Sequence, residues 1–294
     1  MIALAFAADR AFGDPRRFHP VAGFGRAASA LEDVLWRPSR LRGVAHTLVL
    51  VGAAAAAAVV LDRRPGLPRA AAVWATLGGR SLERAALRLE TLLAAGDLAA
   101  ARAHAPTLVG RDPAELDAAE LRRAAVESVA ENTSDAVVAP LVWAALLGMP
   151  GAVAYRAVNT LDAMIGHKDD RHREFGWFAA RLDDCASWPG ARVTALLAIA
   201  SAPLVGGSAR AAWRAAWEDG ARHPSPNAGR VEGAFAGALG LRLGGVNRYA
   251  HGVERRPLLG RGAAPGEGDV ARAVALARIV GAGALGLALL AARR

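Results

Sequence analysis

Four stretches of the chain carry almost no charge, and they set its architecture. Thr47–Leu61 is apolar, preceded by His46 and closed by Asp62-Arg63-Arg64-Pro65. Ala136–Tyr155 runs for 20 residues without a charge, interrupted by Pro140 and Pro150-Gly151. Val193–Ala209 is uncharged and contains Pro203. Ile279–Ala292 follows Arg278 and ends at Arg293-Arg294. A straight bilayer span needs about 20 apolar residues. The shorter runs reach that length when flanking arginines snorkel to the headgroups. Ala70–Gly79 is a shorter apolar segment, and Ser81–Ala95 continues it as an amphipathic stretch. Met1–Ala8 reads as the end of a short first helix, stopped by Gly13-Asp14-Pro15.

Between these runs the pattern stays helical. Arg80–Ala130 reads as amphipathic helices, with a turn at Gly110-Arg111-Asp112-Pro113 and Asp112 or Asp117 capping the helix after it. Gly260–Asp269 is rich in Gly and Pro and reads as a loop. Alternating Val/Ile/Tyr patterns are absent, so strand signals are poor. The expected fold is all-α: a polytopic integral membrane protein with roughly four to six membrane-embedded helices and amphipathic helices between them. A single membrane-embedded domain covers 1–294. Arginines flank most spans on both sides, so charge gives no clean orientation.

Composition adjusts this picture. The chain has 294 residues, 53% of them hydrophobic and 5% aromatic. Mean hydropathy is +0.22. Much of the apolarity is alanine, which an Ala-rich soluble helical protein shares. The net charge of +9 fits nucleic acid, anionic lipid or an anionic substrate. Nucleic acid fits least, because no Lys/Arg run is interleaved with aromatics. Arginines beside apolar segments suit lipid headgroups. Cys185 is the only cysteine, which excludes an intrachain disulfide and a CxxC site. No Walker A loop, GxSxG or HExxH motif is present.

Four polar clusters carry potential chemistry. The first is Glu127-Ser-Val-Ala-Glu131-Asn132-Thr133-Ser134-Asp135. Glu127 and Glu131 lie one helical turn apart on one face, directly before an apolar run. Mg²⁺-phosphate coordination or general-base work on an amine fits; a solvated helix end capping the next helix fits equally. The second runs from Arg156 to Arg171, with Arg156, Asn159 and Asp162 at i, i+3, i+6 on one face. Lys168, in the same cluster, is the only lysine among 36 basic residues. A compact ammonium held on a phosphate explains its survival; so does chance in a surface loop. The third is Arg181-Leu-Asp183-Asp184. Adjacent aspartates diverge on a helix, so one at most reaches a given ligand; metal binding competes with pairing to Arg181. The fourth is HPSPNAGR (223–230), followed by Gly233 and Gly237. The Gly229/Gly233/Gly237 stripe allows close helix contact or admits a flat, bulky ligand. HPSPNAGR also shares four of eight positions with HPVAGFGR (19–26), a similarity ascribed to chance unless the two loops meet.

Taken together, GDPRRFHPVAGFGR (13–26), VGRD (109–112), AVESVAENTSDAVVAPLVWA (125–144), AYRAVNTLDAMIGHKDDRHREFGWFAARLDD (154–184) and HPSPNAGRVEGAFAGALGLRLGG (223–245) resemble the CbiB/CobD family of cobalamin biosynthesis. The resemblance extends to about residue 260. It implies a multi-pass protein of the cell (inner) membrane that joins adenosylcobyric acid to aminopropanol, or its O-phosphate, as adenosylcobinamide-phosphate synthase. ATP is the implied cosubstrate and Mg²⁺ the implied metal. The corrinoid and the aminopropanol (phosphate) are substrates, and membrane lipid and other late cobalamin-pathway membrane enzymes are the expected partners, with no nucleic acid. Roles assigned on this basis are catalytic for Glu127, Glu131 and Asp135, and substrate-binding for Asn132, Asn159, Asp162, Lys168, Arg181, Asn227 and Gly229. Asp183 and Asp184 are assigned to metal. The chain departs from the family where SPNAG is usually followed by Trp-Pro; Arg230-Val231 stands there instead. Its first apolar helix is short, so an upstream start is expected. The alternative reading is a non-catalytic membrane scaffold or transport component for corrinoid intermediates.

Overall fold

The computed structural model describes residues 1–14, 19–64, 66–110, 112–167, 169–249 and 252–292. Helix dominates. In chain order the elements are α1 (Ile2–Phe12), α2 (Pro20–Leu35), α3 (Arg40–Asp62), α4 (Leu67–Trp74), α5 (Gly79–Ala94), α6 (Leu98–His104), α7 (Ala118–Thr133), α8 (Ala139–Ile165), α9 (Trp177–Ser201), α10 (Ala209–Arg214) and α11 (Ala228–Leu239). An antiparallel hairpin, β1 (Leu243–Tyr249) and β2 (Gly252–Leu259), precedes α12 (Asp269–Ala291). Among the described residues, four helical stretches are long and apolar enough to cross a membrane: Arg40–Asp62, Ala118–Ile165, Trp177–Val205 and Asp269–Ala291. The protein is an all-α polytopic membrane protein that carries an antiparallel hairpin among its described residues.

Local sequence explains the boundaries. α1 stops at Gly13, whose φ of 71° suits glycine, and Gly13 N donates to Asp9 O at 2.8 Å. α7 begins with a capping box: Asp117 Oδ1 accepts from Glu120 N at 2.8 Å, and Asp117 N donates to Glu120 Oε2 at 3.1 Å. A five-residue π-helical turn, Ser134–Val138, joins α7 to α8. Pro140 sits in the first turn of α8, where its missing N–H costs nothing. The uncharged 20-residue run is not straight. Gly148 has φ 70° and ψ −162°, and the helix kinks there before Pro150.

The chain forms two compact units. The first comprises Met1–Arg80, Asp135–Gly190 and Leu285–Arg294; the second comprises Ser81–Ser134 and Ala191–Ala284. The core of the first unit includes Ala28, Leu50, Leu161, Ile165, Phe175 and Ala179. α3 comes so close to the backbone at Phe175 that a Cβ on Gly43 would lie 1.8 Å from Phe175 O. His46, fully buried, has Nε2 3.0 Å from Ala28 O and its ring 5.2 Å from that of Phe175.

In the second unit α11 is buried along its whole length. The glycine stripe resolves to packing. Cβ atoms on Gly229, Gly233 and Gly237 would fall 2.5, 2.5 and 2.4 Å from Gly220 O, Ala215 O and Ala211 O. Backbone therefore occupies the side where a flat ligand would have to lie.

The hairpin is a local strand pair within the helical fold, and its residues carry no strand signal. Its register pairs Val246 with Arg255 and Leu243 with Leu259, with an irregularity between Leu243 and Gly245. Gly244 and Gly245 both have positive φ there. The strands lack regular apolar alternation, and β1 is fastened from outside the sheet by side chains of α7.

Candidate functional site

In the first unit, α8 and the start of α9 bring a line of polar groups together inside otherwise apolar helices. The spacing of Arg156 and Asn159 works as expected: Arg156 Nη1 donates to Asn159 Oδ1 at 3.4 Å. Asn159 Nδ2 then donates to Asp183 Oδ1 at 3.3 Å, and Ser187 Oγ donates to Asp183 Oδ2 at 3.2 Å. Tyr155 OH lies 3.2 Å from Ser187 Oγ. An ionised Asp183 only accepts, so Ser187 spends its proton there and the Tyr155 hydroxyl must donate to Ser187. Asp162 and Asp184 are the neighbouring carboxylates whose charges act on Asp183, and Asp135 acts on Tyr155. Negative charge in a spanning segment is costly unless a cation, donor or water faces it. Tyr155 and Ser187 escaped the sequence reading. Each lies one helical turn from a residue it did pick, Asn159 and Asp183.

The two adjacent aspartates have different partners. Asp183 faces Asn159 and Ser187, whereas Asp184 Oδ2 lies 3.5 Å from Arg181 Nη1 on the more exposed side.

The segment after α8 is clamped by a residue absent from every motif, Glu32 on α2. Glu32 is 8% exposed. Its Oε1 accepts from Arg171 Nε at 3.0 Å and Nη2 at 2.9 Å, and lies 3.2 Å from His172 Nε2. His172 Nδ1 is 3.0 Å from Asp169 Oδ2. Arg171 also covers the Trp36 ring at 4.9 Å. The hydrogen bond from His172 holds the Asp169 carboxyl below its usual range. Lys168 lies outside the described residues.

In the second unit, Glu127 is 4% exposed and has a structural task. Its Oε1 accepts from Gly244 N at 2.8 Å and from Arg123 Nη1 at 3.2 Å. Arg123 also donates to Gly244 O at 2.7 Å and Val246 O at 2.9 Å. The pair thereby fixes β1. Ser128 Oγ donates to Leu108 O at 2.6 Å, and Asn132 Nδ2 donates to Ser128 O at 3.0 Å. Glu131, one turn beyond Glu127, is only partly buried.

The HPSPNAGR segment leads into α11. Ser225 Oγ accepts from Ala228 N at 3.1 Å, and Asn227 Oδ1 accepts from Arg192 Nη1. Arg230 donates to Ala216 O at 3.0 Å and Trp217 O at 2.9 Å and lies 5.8 Å from the Trp217 ring. The departure from Trp-Pro at this point thus leaves a residue that ties α11 to the turn beside it. Trp213 and Trp217 stack at 4.6 Å. Arg192 was not picked from sequence, and His223 only as part of the HPSPNAGR cluster.

The similarity between HPVAGFGR and HPSPNAGR has a local cause. His19 Nδ1 lies 3.1 Å from Val21 N, and His223 Nδ1 lies 3.1 Å from Ser225 N. In both, His-Pro folds the ring back onto the second N–H after it, just ahead of a helix.

Burial lowers the pKa of His223 below 6.5, with Arg256 adding to the effect and the Ser225 hydrogen bond, Glu127 and Glu254 opposing it. Below pH 6.5 the unfolded chain therefore binds a proton that the folded chain refuses. Stability is complete above pH 6.5 and falls as the pH drops toward the folded value. The slope is at most about 1.4 kcal/mol per pH unit. Thermal midpoints in detergent between pH 7.5 and pH 5 should decline, and His223→Asn should flatten that part of the profile.

Among the described residues there is no group of three or more His, Cys, Asp or Glu side chains placed to hold a metal. The predicted site residues divide between the units. Glu127, Glu131, Asn132, Asn227 and Gly229 belong to the second, and Asp135, Asn159, Asp162, Arg181, Asp183 and Asp184 to the first.

Comparison with known proteins agrees with the motifs. Residues 2–277 match the family described as CobD/Cbib protein. The "Cobalamin biosynthesis protein CobD" of Mycobacterium tuberculosis (strain ATCC 25618 / H37Rv) is 54% identical over 287 residues, covering 96% of this chain and 92% of that protein. The protein of the same description from Geobacter metallireducens is 46% identical over 264 residues, covering 86% and 83%. That from Rhodobacter capsulatus is 41% identical over 298 residues, covering 96% and 94%. No solved structure matches the chain. With its motifs in family order, its four spanning helices and near-complete alignment to these relatives, the chain belongs to the CobD/CbiB family of cobalamin biosynthesis.

Proposed function

We propose that the protein is adenosylcobinamide-phosphate synthase, a carbon–nitrogen ligase of the cell (inner) membrane. It joins the carboxylate of adenosylcobyric acid to the amine of aminopropanol or its O-phosphate. The observation that supports this reading is the hydrogen-bonded acidic line Tyr155–Ser187–Asp183–Asn159, with Asp162 nearby, inside spanning helices. Both an ammonium and a divalent cation fit such a line, and amide synthesis from a carboxylate handles both.

A carboxylate oxygen leaves poorly, and ATP with Mg²⁺ supplies the phosphoryl group that makes it a leaving group. Mg²⁺ commonly takes only one or two protein carboxylates beside phosphate oxygens, so a sparse site is sufficient. Asp183 with Asp162 would hold it, Asn159 and Ser187 keeping the Asp183 carboxylate oriented. Asp184, engaged with Arg181, supports from the side. Asp135 takes a proton from the ammonium, because only a neutral amine attacks. Lys168 and Arg181 contact phosphate. In the second unit Glu131 is the further catalytic carboxylate, while Asn227, held by Arg192, and Asn132 contact substrate. Glu127 contributes through the hairpin. Association with other late cobalamin-pathway membrane enzymes belongs to the same proposal.

The test is product analysis. Purified protein in detergent, supplied with ATP, adenosylcobyric acid and each amine donor in turn, should yield adenosylcobinamide or its phosphate by mass spectrometry. Glu131→Gln should abolish the product without lowering membrane expression. Binding of the corrinoid without product from either amine would favour the scaffold or transport reading.

A further inference from the structure

The second unit contains a hollow of about 140 Å³, lined by Ala211, Arg214, Gly237, Gly240, Gly260 and Arg261 among others. That is roughly ten times the ~10–15 Å³ needed for one water. Its walls are mostly glycine backbone and alanine methyls, with two arginines and no carboxylate. Arg214 Nε is buried and has no hydrogen-bond partner among the described residues. The nearby amide hydrogens are already used: Gly260 N donates to Asp219 Oδ2 at 3.1 Å, Gly262 N to Leu241 O at 3.3 Å, and Leu241 N to Ala236 O at 2.8 Å. Gly240, at φ 69°, has no atom within 4 Å of where its Cβ would be, so open space lies in front of it.

A buried guanidinium N–H left without an acceptor is costly, and Arg261, exposed at the same hollow, adds a weaker, solvent-screened like-charge repulsion. An anion relieves both at once. Arginine's planar fork suits a tetrahedral oxyanion through paired hydrogen bonds. The glycine walls let such a group approach backbone without a side chain in the way. From these features we propose that the hollow between α10 and the Gly260–Gly262 turn is a binding site for a phosphoryl group, with Arg214 as its principal donor and Arg261 as the second. The phosphoryl group belongs either to a soluble phosphate ester or to a lipid headgroup. The hollow stands apart from the acidic line of the first unit in chemistry, and its occupancy is read without turnover.

The test uses the full chain purified in detergent, with inorganic phosphate and methyl phosphate as probes. Millimolar phosphate should raise the thermal midpoint of the wild type. Titration should show saturable binding, weakened about tenfold or more in Arg214→Gln and by a smaller factor in Arg261→Gln. Arg210→Gln, exposed and outside the hollow, should bind as the wild type does. Without phosphate, Arg214→Gln should be as stable as the wild type or more so, because it removes the unpartnered buried Nε–H; a mere fold defect would lower it. Nanodiscs then identify the source. If phosphatidic acid competes with methyl phosphate and phosphatidylcholine does not, the ligand is a headgroup. If neither competes, it is a soluble ester. No saturable phosphate binding by the wild type, or equal binding by Arg214→Gln, overturns the proposal.

Discussion

Asp183→Asn should lower the rate of cobinamide formation by about two orders of magnitude or more, while the amount of protein in the membrane stays at the wild-type level. The substitution is close to isosteric. Asp183 uses both oxygens, one from Asn159 and one from Ser187. An asparagine keeps one acceptor and can satisfy one of those donors, so α8 and α9 stay together. What disappears is the negative charge, to which the proposed function assigns the holding of a cation in an apolar setting. Ser187→Ala and Tyr155→Phe remove one hydrogen bond each from the same line and should cost only about three- to tenfold. The measurement is product per unit of purified protein at saturating substrates. Wild-type rates in Asp183→Asn would remove the acidic line from the chemistry, whatever the family does elsewhere.

Glu127→Ala should be the most destabilising single change at the polar positions, at about 3–5 kcal/mol. Two groups are affected. Arg123, whose side chain is 12% exposed, loses the Glu127 carboxylate, and Gly244 N loses its acceptor. Glu127→Gln keeps an acceptor for Gly244 and should cost only about 1–2 kcal/mol. Pairing Glu127→Leu with Arg123→Met removes both charges and should recover much of the loss. Unfolding midpoints in mixed detergent provide the comparison. Because Glu127 works through the hairpin, Glu127→Gln should also retain most of the turnover that Glu131→Gln loses. Equal loss in both would restore Glu127 to the chemistry.

The helical plan was legible because the chain announces it through uncharged runs and their stops. Gly13 ends α1 as its sequence context requires, and of the two expected caps, Asp112 and Asp117, it is Asp117 that caps α7, in a box with Glu120. The face shared by Arg156 and Asn159 followed from helical periodicity alone. Other features had no local signal. The π-helical turn at Ser134–Val138 depends on what packs around it. The hairpin is held through Arg123 and Glu127, more than 100 residues upstream, so strand propensity had little to report. Glu32 was invisible for the same reason: its meaning comes from Arg171 and His172, about 140 residues away. The glycine stripe favoured helix packing over a flat ligand, and the backbone of residues 211–220 fills the space beside it.

Both compact units are assembled from separated pieces of chain, and this orders events at the ribosome. The first unit includes Met1–Arg80 yet also needs Asp135–Gly190 and the last residues, Leu285–Arg294. Its N-terminal helices therefore emerge long before their final neighbours exist. They must wait in the bilayer, or under a chaperone, through the synthesis of more than 200 further residues. Early termination would leave neither unit whole, so shortened products should be cleared by quality-control proteases instead of persisting as half-working fragments.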